Sequence, residues 1–213
     1  MKRLFLAFAL LALIFTSCNK VQPFGIIYVT DNADLTIVTG DYAVTSTDGS
    51  VVDYTVSNGT LTISGNSNAK VAIPDPGLIT AIKADSNATI TSNEVLNVNK
   101  VFAIDARGNA DVELSLTTGT LAINLDDDAT LVINADTCTN VTLNANGNST
   151  LNAFSLIAKN YVINVTGTAD AEIYASSSIS GKVSDEADVK YKGNPQDVNV
   201  VVDETATFIP ASK

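Results

Sequence analysis

The side chains able to do chemistry are few and scattered. Three carboxylates stand in a row at Asp126-Asp127-Asp128, and hard cations such as calcium take several oxygen ligands of this kind. Consecutive residues on one turn seldom aim at a common point, so the run reads as a solvated turn rather than a metal site. Gly108-Asn109-Ala110-Asp111 has the composition of a calcium-binding β-roll turn, but the nine-residue glycine period of such rolls is missing. Cys138 is a nucleophile by type. A lone Cys among Thr and Asn in a strand-rich chain is more often a small core or turn residue. The sequence has no His, which removes the commonest general base and metal ligand and any Ser-His-Asp or Cys-His arrangement. Carboxylates are spread over many turns instead of paired as glycan hydrolysis requires. Beyond the first few residues Arg107 is the sole arginine. We therefore assign no catalytic residue, no metal ligand and no cofactor from the sequence.

The remaining reactive position is Cys18. Met1-Lys2-Arg3 is basic, Leu4 to Phe15 is apolar, and Phe15-Thr16-Ser17-Cys18 follows. The apolar run falls short of the roughly 20 residues of a spanning helix. The segment resembles a bacterial lipoprotein signal, in which the cysteine becomes the first mature residue and its sulfur carries the lipid. An ordinary secretory signal with an incidental Cys is the plainer alternative. Net charge is −11 over 213 residues. Nucleic acid is an unsuitable partner for so acidic a chain, and membrane attachment has to be covalent, through lipid on Cys18, rather than electrostatic. Asn19 after the cysteine points to the outer membrane.

The body has to be a scaffold of strands. Hydrophobic residues make up 46% and charged residues only 16%, enough apolar material for a core. Val, Ile, Thr, Asn and Asp alternate, with no sustained helical period. A small residue follows a polar turn cluster at Ala69, Ala88, Ala110, Ala129, Ser149, Ala169, Ala187 and Ala206, in steps of 18 to 22 residues. Six positions before these anchors stand Ile63, Ile82, Ile104, Ile123, Leu143, Ile163, Gly181 and Val200. Four before stand Gly65, Ala84, Ala106, Leu125, Ala145, Val165, Val183 and Val202, and two after stand Val71, Ile90, Val112, Leu131, Leu151, Ala171, Val189 and Phe208. Even offsets share one face of an extended chain. One repeat cannot bury such a face, but a stack can. The pattern predicts a parallel coil of about 20 residues per turn, eight turns rising about 4.8 Å each to roughly 40 Å. Evenly spaced hairpins in a β-sandwich are the competing architecture, but alternating strand directions give no reason for one motif at a single period. Five before the anchors, Asn124, Asn144 and Asn164 are expected to form an amide ladder. Tyr161 aligns with Phe102, Leu121 and Val141 and is expected in the core. Of the other tyrosines, Tyr174 is expected at the surface, and Tyr28, Tyr42, Tyr54 and Tyr191 are further candidate binding aromatics.

Before the repeat, FGIIYV, ADLTIVT, YAVTST, VDYTV and GTLTIS read as strands, with turns at Gly40-Asp41, Asp48-Gly49 and Asn58-Gly59. Asn-Gly is a strong tight-turn signal. Phe24 to Val38 with Gly40, Val51 to Ile63, and the coil of Gly/Asn/Ala-Asp turns resemble the auto-transporter adhesin head, or GIN, domain. The family's near-terminal Y-x-G-N-P element is matched by Tyr191-Lys192-Gly193-Asn194-Pro195. Its eponymous Gly-Ile-Asn falls on Asn32-Ala33-Asp34. The resemblance implies a β-helical, secreted or lipid-anchored protein of Gram-negative bacteria and carries over no catalytic residues.

The sequence thus predicts an all-β, single-domain parallel β-helix with an irregular N-terminal β cap. Residues 1–18 form a lipoprotein signal peptide ending in Cys18, 19–23 a short linker, and 24–213 the β-helical body, divided into strands at 24–60 and regular coils at 61–213. The expected function is that of a lipid-anchored, non-enzymatic outer-membrane protein for adhesion or interaction with a glycan or protein. A carbohydrate-binding or carbohydrate-processing β-helix and a structural envelope spacer are the alternatives.

Overall fold

The computed structural model describes residues 21–135 and 137–211. The expected signal peptide and Cys18 lie outside the described residues. The N-terminal part holds β1 (Ile26–Val29), β2 (Asp34–Thr39), β3 (Ala43–Ser46), β4 (Asp53–Ser57), β5 (Thr60–Ser64) and β6 (Asn68–Ile73). A single 3-10 turn at Pro76–Leu78 follows. The rest holds β7 (Ala81–Ala84), β8 (Thr89–Ser92), β9 (Leu96–Ala106), β10 (Asp111–Leu125), β11 (Thr130–Asn134), β12 (Thr137–Ala145), β13 (Thr150–Val165), β14 (Asp170–Val183), β15 (Asp188–Lys192), β16 (Asp197–Val202) and β17 (Thr207–Pro210).

From Ala81 onward the chain winds in sequence order as a parallel β-solenoid, about six turns of roughly 20 residues. The inward columns are those read from the sequence. Ile82 registers with Ile104, then Ile123, Leu143, Ile163, Gly181 and Val200 in successive rungs. The second face runs Ile90, Val112, Leu131, Leu151, Ala171, Val189 and Phe208. The side chains of these columns are buried until the last rung, where Val200 and Phe208 become half-buried, and the one gap is Gly181, which is itself half-buried. Each fully buried aliphatic contributes roughly 1.5–3 kcal/mol relative to exposure, so columns of them hold the stack together.

The corners repeat as well. Ala88, Ala110, Ala129 and Ala187 each donate a backbone hydrogen bond to the residue three before, closing a β-turn. Two before each anchor the φ angle is positive, at Ser86, Gly108, Asp127, Gly147, Gly167 and Asp185. A positive φ at the first central residue suits Gly, Asn and Asp, which explains the turn composition. The carbonyls of these residues accept N–H groups from the turn above, as in Asn148 to Asp127 (2.7 Å) and Thr168 to Gly147 (2.7 Å).

The first rungs are not in sequence order, and here the structure corrects the column alignment. Residues 26–39 lie between the rung of 60–73 and the rung of 81–92. Ile27 registers with Leu61 on one side and Ile82 on the other, and Leu35 with Ala69 and Ile90. Ala69 therefore shares a column with Ile90, not Ala88, and Ile63 shares one with Ala84 through Val29. The anchors of the first two rungs are Ser67 and Ala33, both buried. Sequence-adjacent units are adjacent in space only about two-thirds of the time, and these first rungs are an exception. Thr30-Asp31-Asn32-Ala33 carries the anchor motif and Asp31 the positive φ.

The cap is the segment between these rungs. β3 pairs antiparallel with β6 and β4 antiparallel with β5. The β4–β5 connection is Asn58-Gly59, both at positive φ (50° and 73°), as a two-residue type I′ hairpin requires. Tyr42, Val44, Val52, Tyr54 and Val56 pack on the core from this side.

Candidate functional site

The candidate reactive groups fall into structural roles. Cys138 points inward and is 6% exposed. Its thiol donates to the carbonyl oxygens of Asn140 (3.3 Å) and Gly119 (3.5 Å), and burial pushes its pKa up. A thiol held protonated is a poor nucleophile. Tyr161 is fully buried, as expected, and burial raises its phenol pKa. Asp126, Asp127 and Asp128 turn to three different partners. Asp126 pairs with Arg107 (3.6 Å), Asp127 accepts from the Gly108 N–H (3.3 Å), and Asp128 accepts from the Asn148 amide (3.0 Å). Gly108 to Asp111 is an ordinary corner, with Asn109 donating to Asn87 (2.9 Å).

The outward columns are polar ladders. The Asn144 amide donates to Asn124 (3.0 Å), two members of the expected ladder. A longer ladder, which the sequence reading missed, runs one position before the anchors. Asn32 donates to Asn66 (3.1 Å), Asn87 to Asn32 (2.8 Å) and Asn109 to Asn87 (2.9 Å). A third joins Asn160 to Asn140 (3.0 Å) and Ser178 to Asn160 (2.9 Å). Such bonds tie rung to rung at the surface and leave these amides with structural partners.

One stretch of the exterior departs from this. Five before the anchors, Tyr28, Lys83 and Asp105 occupy adjacent rungs in the column that continues as Asn124 and Asn144. Around them lies an open groove of about 330 Å³ lined by Ile26, Tyr28, Thr60, Lys83, Asp85, Asp105 and Arg107. That is the lower end of the range for small-ligand sites. The Arg107 guanidinium grips Asp105 with two bonds, Nε to Oδ1 at 3.0 Å and Nη2 to Oδ2 at 3.3 Å. Asp105 foremost, then Asp126 and Asp85, raise the Arg107 pKa. The pair is solvent-facing, with Arg107 53% exposed at its side chain, so its stabilising effect is at most about 1 kcal/mol. It places fixed donors and acceptors beside an aromatic and an aliphatic side chain. This suits recognition of a polar ligand with an apolar face better than proton transfer. Tyr28 was recoverable from sequence, because with Ala33 taken as an anchor it falls five positions before, beside Lys83.

A smaller aromatic cluster lies at the far end. Lys192 Nζ sits 4.0 Å from the Phe154 ring centroid, and Tyr191 stacks on Phe208 with centroids 4.7 Å apart. Gly193, at φ +95°, has no room for a side chain, since a Cβ there would stand 1.9 Å from the Ala175 carbonyl oxygen. The Tyr-Lys-Gly-Asn-Pro element is thus a corner that packs inward through Tyr191 and outward through Lys192. Tyr174, expected at the surface, is half-buried beside it.

These features define a parallel β-helix. The chain belongs to the family described as "Putative auto-transporter adhesin, head GIN domain", whose model matches residues 23–195. It is similar in fold to a "putative adhesin" from Bacteroides fragilis, with TM-score 0.76 and 18% identity, covering 90% of this chain and 94% of that one. A "putative adhesin" from Parabacteroides distasonis matches with TM-score 0.65 and 22% identity over 88% and 93% of the two chains. A "putative lipid binding protein" from Parabacteroides distasonis matches with TM-score 0.63 and 13% identity over 88% and 93%. No curated protein matches the chain.

Proposed function

We propose that the protein is a lipid-anchored, non-enzymatic component of the outer membrane that binds a partner through the side of its coil. The observation that carries this is the disposition of the reactive groups. Cys138 and Tyr161 are sealed in the core, Asp126 to Asp128 are each tied to a different neighbour, and the exterior carries polar ladders bonded rung to rung beside the Tyr28–Arg107 groove. A rigid, preorganised surface loses little conformational freedom on binding. Membership of an adhesin family supports the same reading. The lipid would sit on Cys18, close enough in sequence to the first described residue, Val21, to hold the coil at the membrane.

A carbohydrate ligand is the second reading, favoured by Tyr28 and Ile26 standing beside the Lys83, Asp105 and Arg107 groups. Sugars offer an apolar ring face and vicinal hydroxyls, which such a mixed lining can satisfy. Both readings are tested by probing a glycan array with residues 19–213 and with the Tyr28→Ala variant. Specific binding lost in the variant supports the groove and removes the spacer alternative. Binding that ignores Tyr28 removes the groove, and cleavage of a bound glycan removes the non-enzymatic reading. Separately, a fatty-acid analogue fed to cells should label the natural chain and not Cys18→Ala; equal labelling defeats the anchor.

A further inference from the structure

Among the described residues Lys83, Asp85, Asp105 and Arg107 are the charged side chains of the Tyr28 groove, and the ion pairs leave Lys83 out. Lys83 is exposed and stands on the rung between Tyr28 and Asp105, in register with both. Asp105 is its carboxylate neighbour in the column, yet both oxygens of Asp105 are taken by the Arg107 fork (3.0 and 3.3 Å). Asp85 accepts from the Ser86 N–H (2.6 Å). Lys83 forms no ion pair with any described residue. Lysines elsewhere on the coil are engaged. Lys182 pairs with Asp203 (3.1 Å), Lys190 with Asp188 (3.8 Å), and Lys192 lies over the Phe154 ring (4.0 Å). Lys70 and Lys159 are unpaired too, but neither lines the groove.

We propose that the groove selects a carboxylated sugar, a uronic or sialic acid unit within a glycan, and that Lys83 binds its carboxylate. This rests on the carbohydrate reading of the same groove and adds which sugars it takes. The free ammonium calls for an acceptor that the chain itself does not supply. Asp85 and Asp105 stand on either side of it, so a doubly charged phosphate would meet two like charges for one opposite charge. A carboxylate carries a single charge, is ionised at neutral pH and accepts charge-assisted hydrogen bonds from an ammonium. The rest of the lining suits the rest of such a unit. Tyr28, one rung away at about 4.8 Å, offers its ring to the apolar face of a sugar. Asp105 occupies two of the five N–H donors of Arg107, and the others remain for sugar hydroxyls. Arg107 also has a positioning role, because its grip on Asp105 keeps that carboxylate from closing on Lys83. The chain's net charge of −11 opposes a polyanion, so the glycan recognised carries isolated acidic units among neutral ones.

The test titrates residues 19–213, which hold every described core residue, with a glucuronoxylan oligosaccharide and with sialyllactose, each as the free acid and as its methyl ester. At least one acid should bind, roughly tenfold or more tighter than its ester. Lys83→Gln should bring the acid down to the level of the ester. Lys70→Gln, at an exposed unpaired lysine outside the groove, should change nothing. Arg107→Gln should weaken the acid as well, because Asp105 is then released to take Lys83, and adding Asp105→Asn should recover most of that loss. Equal binding of acid and ester, both lost in Tyr28→Ala, overturns the acidic-sugar assignment and leaves the carbohydrate reading standing. So does acid binding that ignores Lys83→Gln. A double variant no stronger than Arg107→Gln overturns the positioning role of Arg107. Binding of neither acid overturns the assignment too, and the glycan array with Tyr28→Ala decides separately whether any sugar enters the groove.

Discussion

At the N-terminal end of the coil, Leu61 and Ile63 are fully buried although no rung of the described residues lies beyond them, because Tyr54 and Val56 pair across from them on β4. At the other end, Val200 and Val202 occupy the equivalent columns, Val200 half-buried and Val202 41% exposed. The repeat supplies the same inward residues in both places, so the difference lies in what covers them. A parallel strand placed on a parallel stack always creates a new free edge. An antiparallel strand of β4's kind, charged at Asp53, is the sort of edge that discourages another. The cap is a separate device that the repeat could not have generated. The sides of the rod differ in the same sense. Most of the exterior is bonded rung to rung through Asn and Thr, and the Tyr28–Arg107 groove is where those bonds give way to fixed charges beside an aromatic ring.

The largest test of the open end's own stability is Gly181→Ala. Gly181 sits at φ +131°, and a Cβ there would stand 1.8 Å from the Ile163 carbonyl oxygen. The backbone would have to move, and we expect a loss of about 3 kcal/mol or more in urea unfolding. A value under 1 kcal/mol, roughly the ordinary cost of a conservative change, would mean the last rungs tolerate displacement.

Next in size, Tyr54→Ala should cost about 2 kcal/mol by exposing Ile63 and leaving a gap. Phe208→Ala, where the ring is half-exposed and stacked on Tyr191, should cost about 1 kcal/mol. If the two losses were equal, the cap would cover no more than the bare end does.

A smaller effect is local and set by pH. Asp48 accepts from the Ser50 N–H (2.8 Å), the Ser46 hydroxyl (2.8 Å) and the Asn68 amide (2.8 Å). Led by Ser50, these bonds hold its carboxyl far below the usual range. A lowered folded-state pKa gives stability that is present above the unfolded value and is lost as pH falls through the folded one. Glu94, which accepts from Thr39, is lowered in the same direction. Hydrogen exchange in residues 43–57 should therefore speed up at strongly acid pH relative to intrinsic rates. Residues 197–210, where Asp203 pairs with Lys182 (3.1 Å) across solvent-facing side chains, should follow less. Uniform loosening of both ends would show that Asp48 does not secure the cap.

The periodic part of this molecule was legible because a stacked coil writes its geometry into the sequence. Ile82, Ile104, Ile123, Leu143 and Ile163 recur at one offset because each must land on the one before. The corner composition is equally local, since a positive φ favours Gly, Asn or Asp whatever lies nearby, with Ser86 the exception. The bonded members of the Asn124–Asn144 ladder followed from the same arithmetic. The stacking order of the first rungs was not legible. Residues 26–39 and 60–73 both satisfy the repeat, and a periodic pattern states what each rung needs from its neighbours without naming which neighbour supplies it. That order was decided by tertiary pairing alone, when β3 and β4 covered the outer edge of 60–73 and left 26–39 to fill the gap before Ala81. The same insertion brought Tyr28 beside Lys83 and so built the groove, which is why the sequence named the rod's inward columns but not where that groove would form.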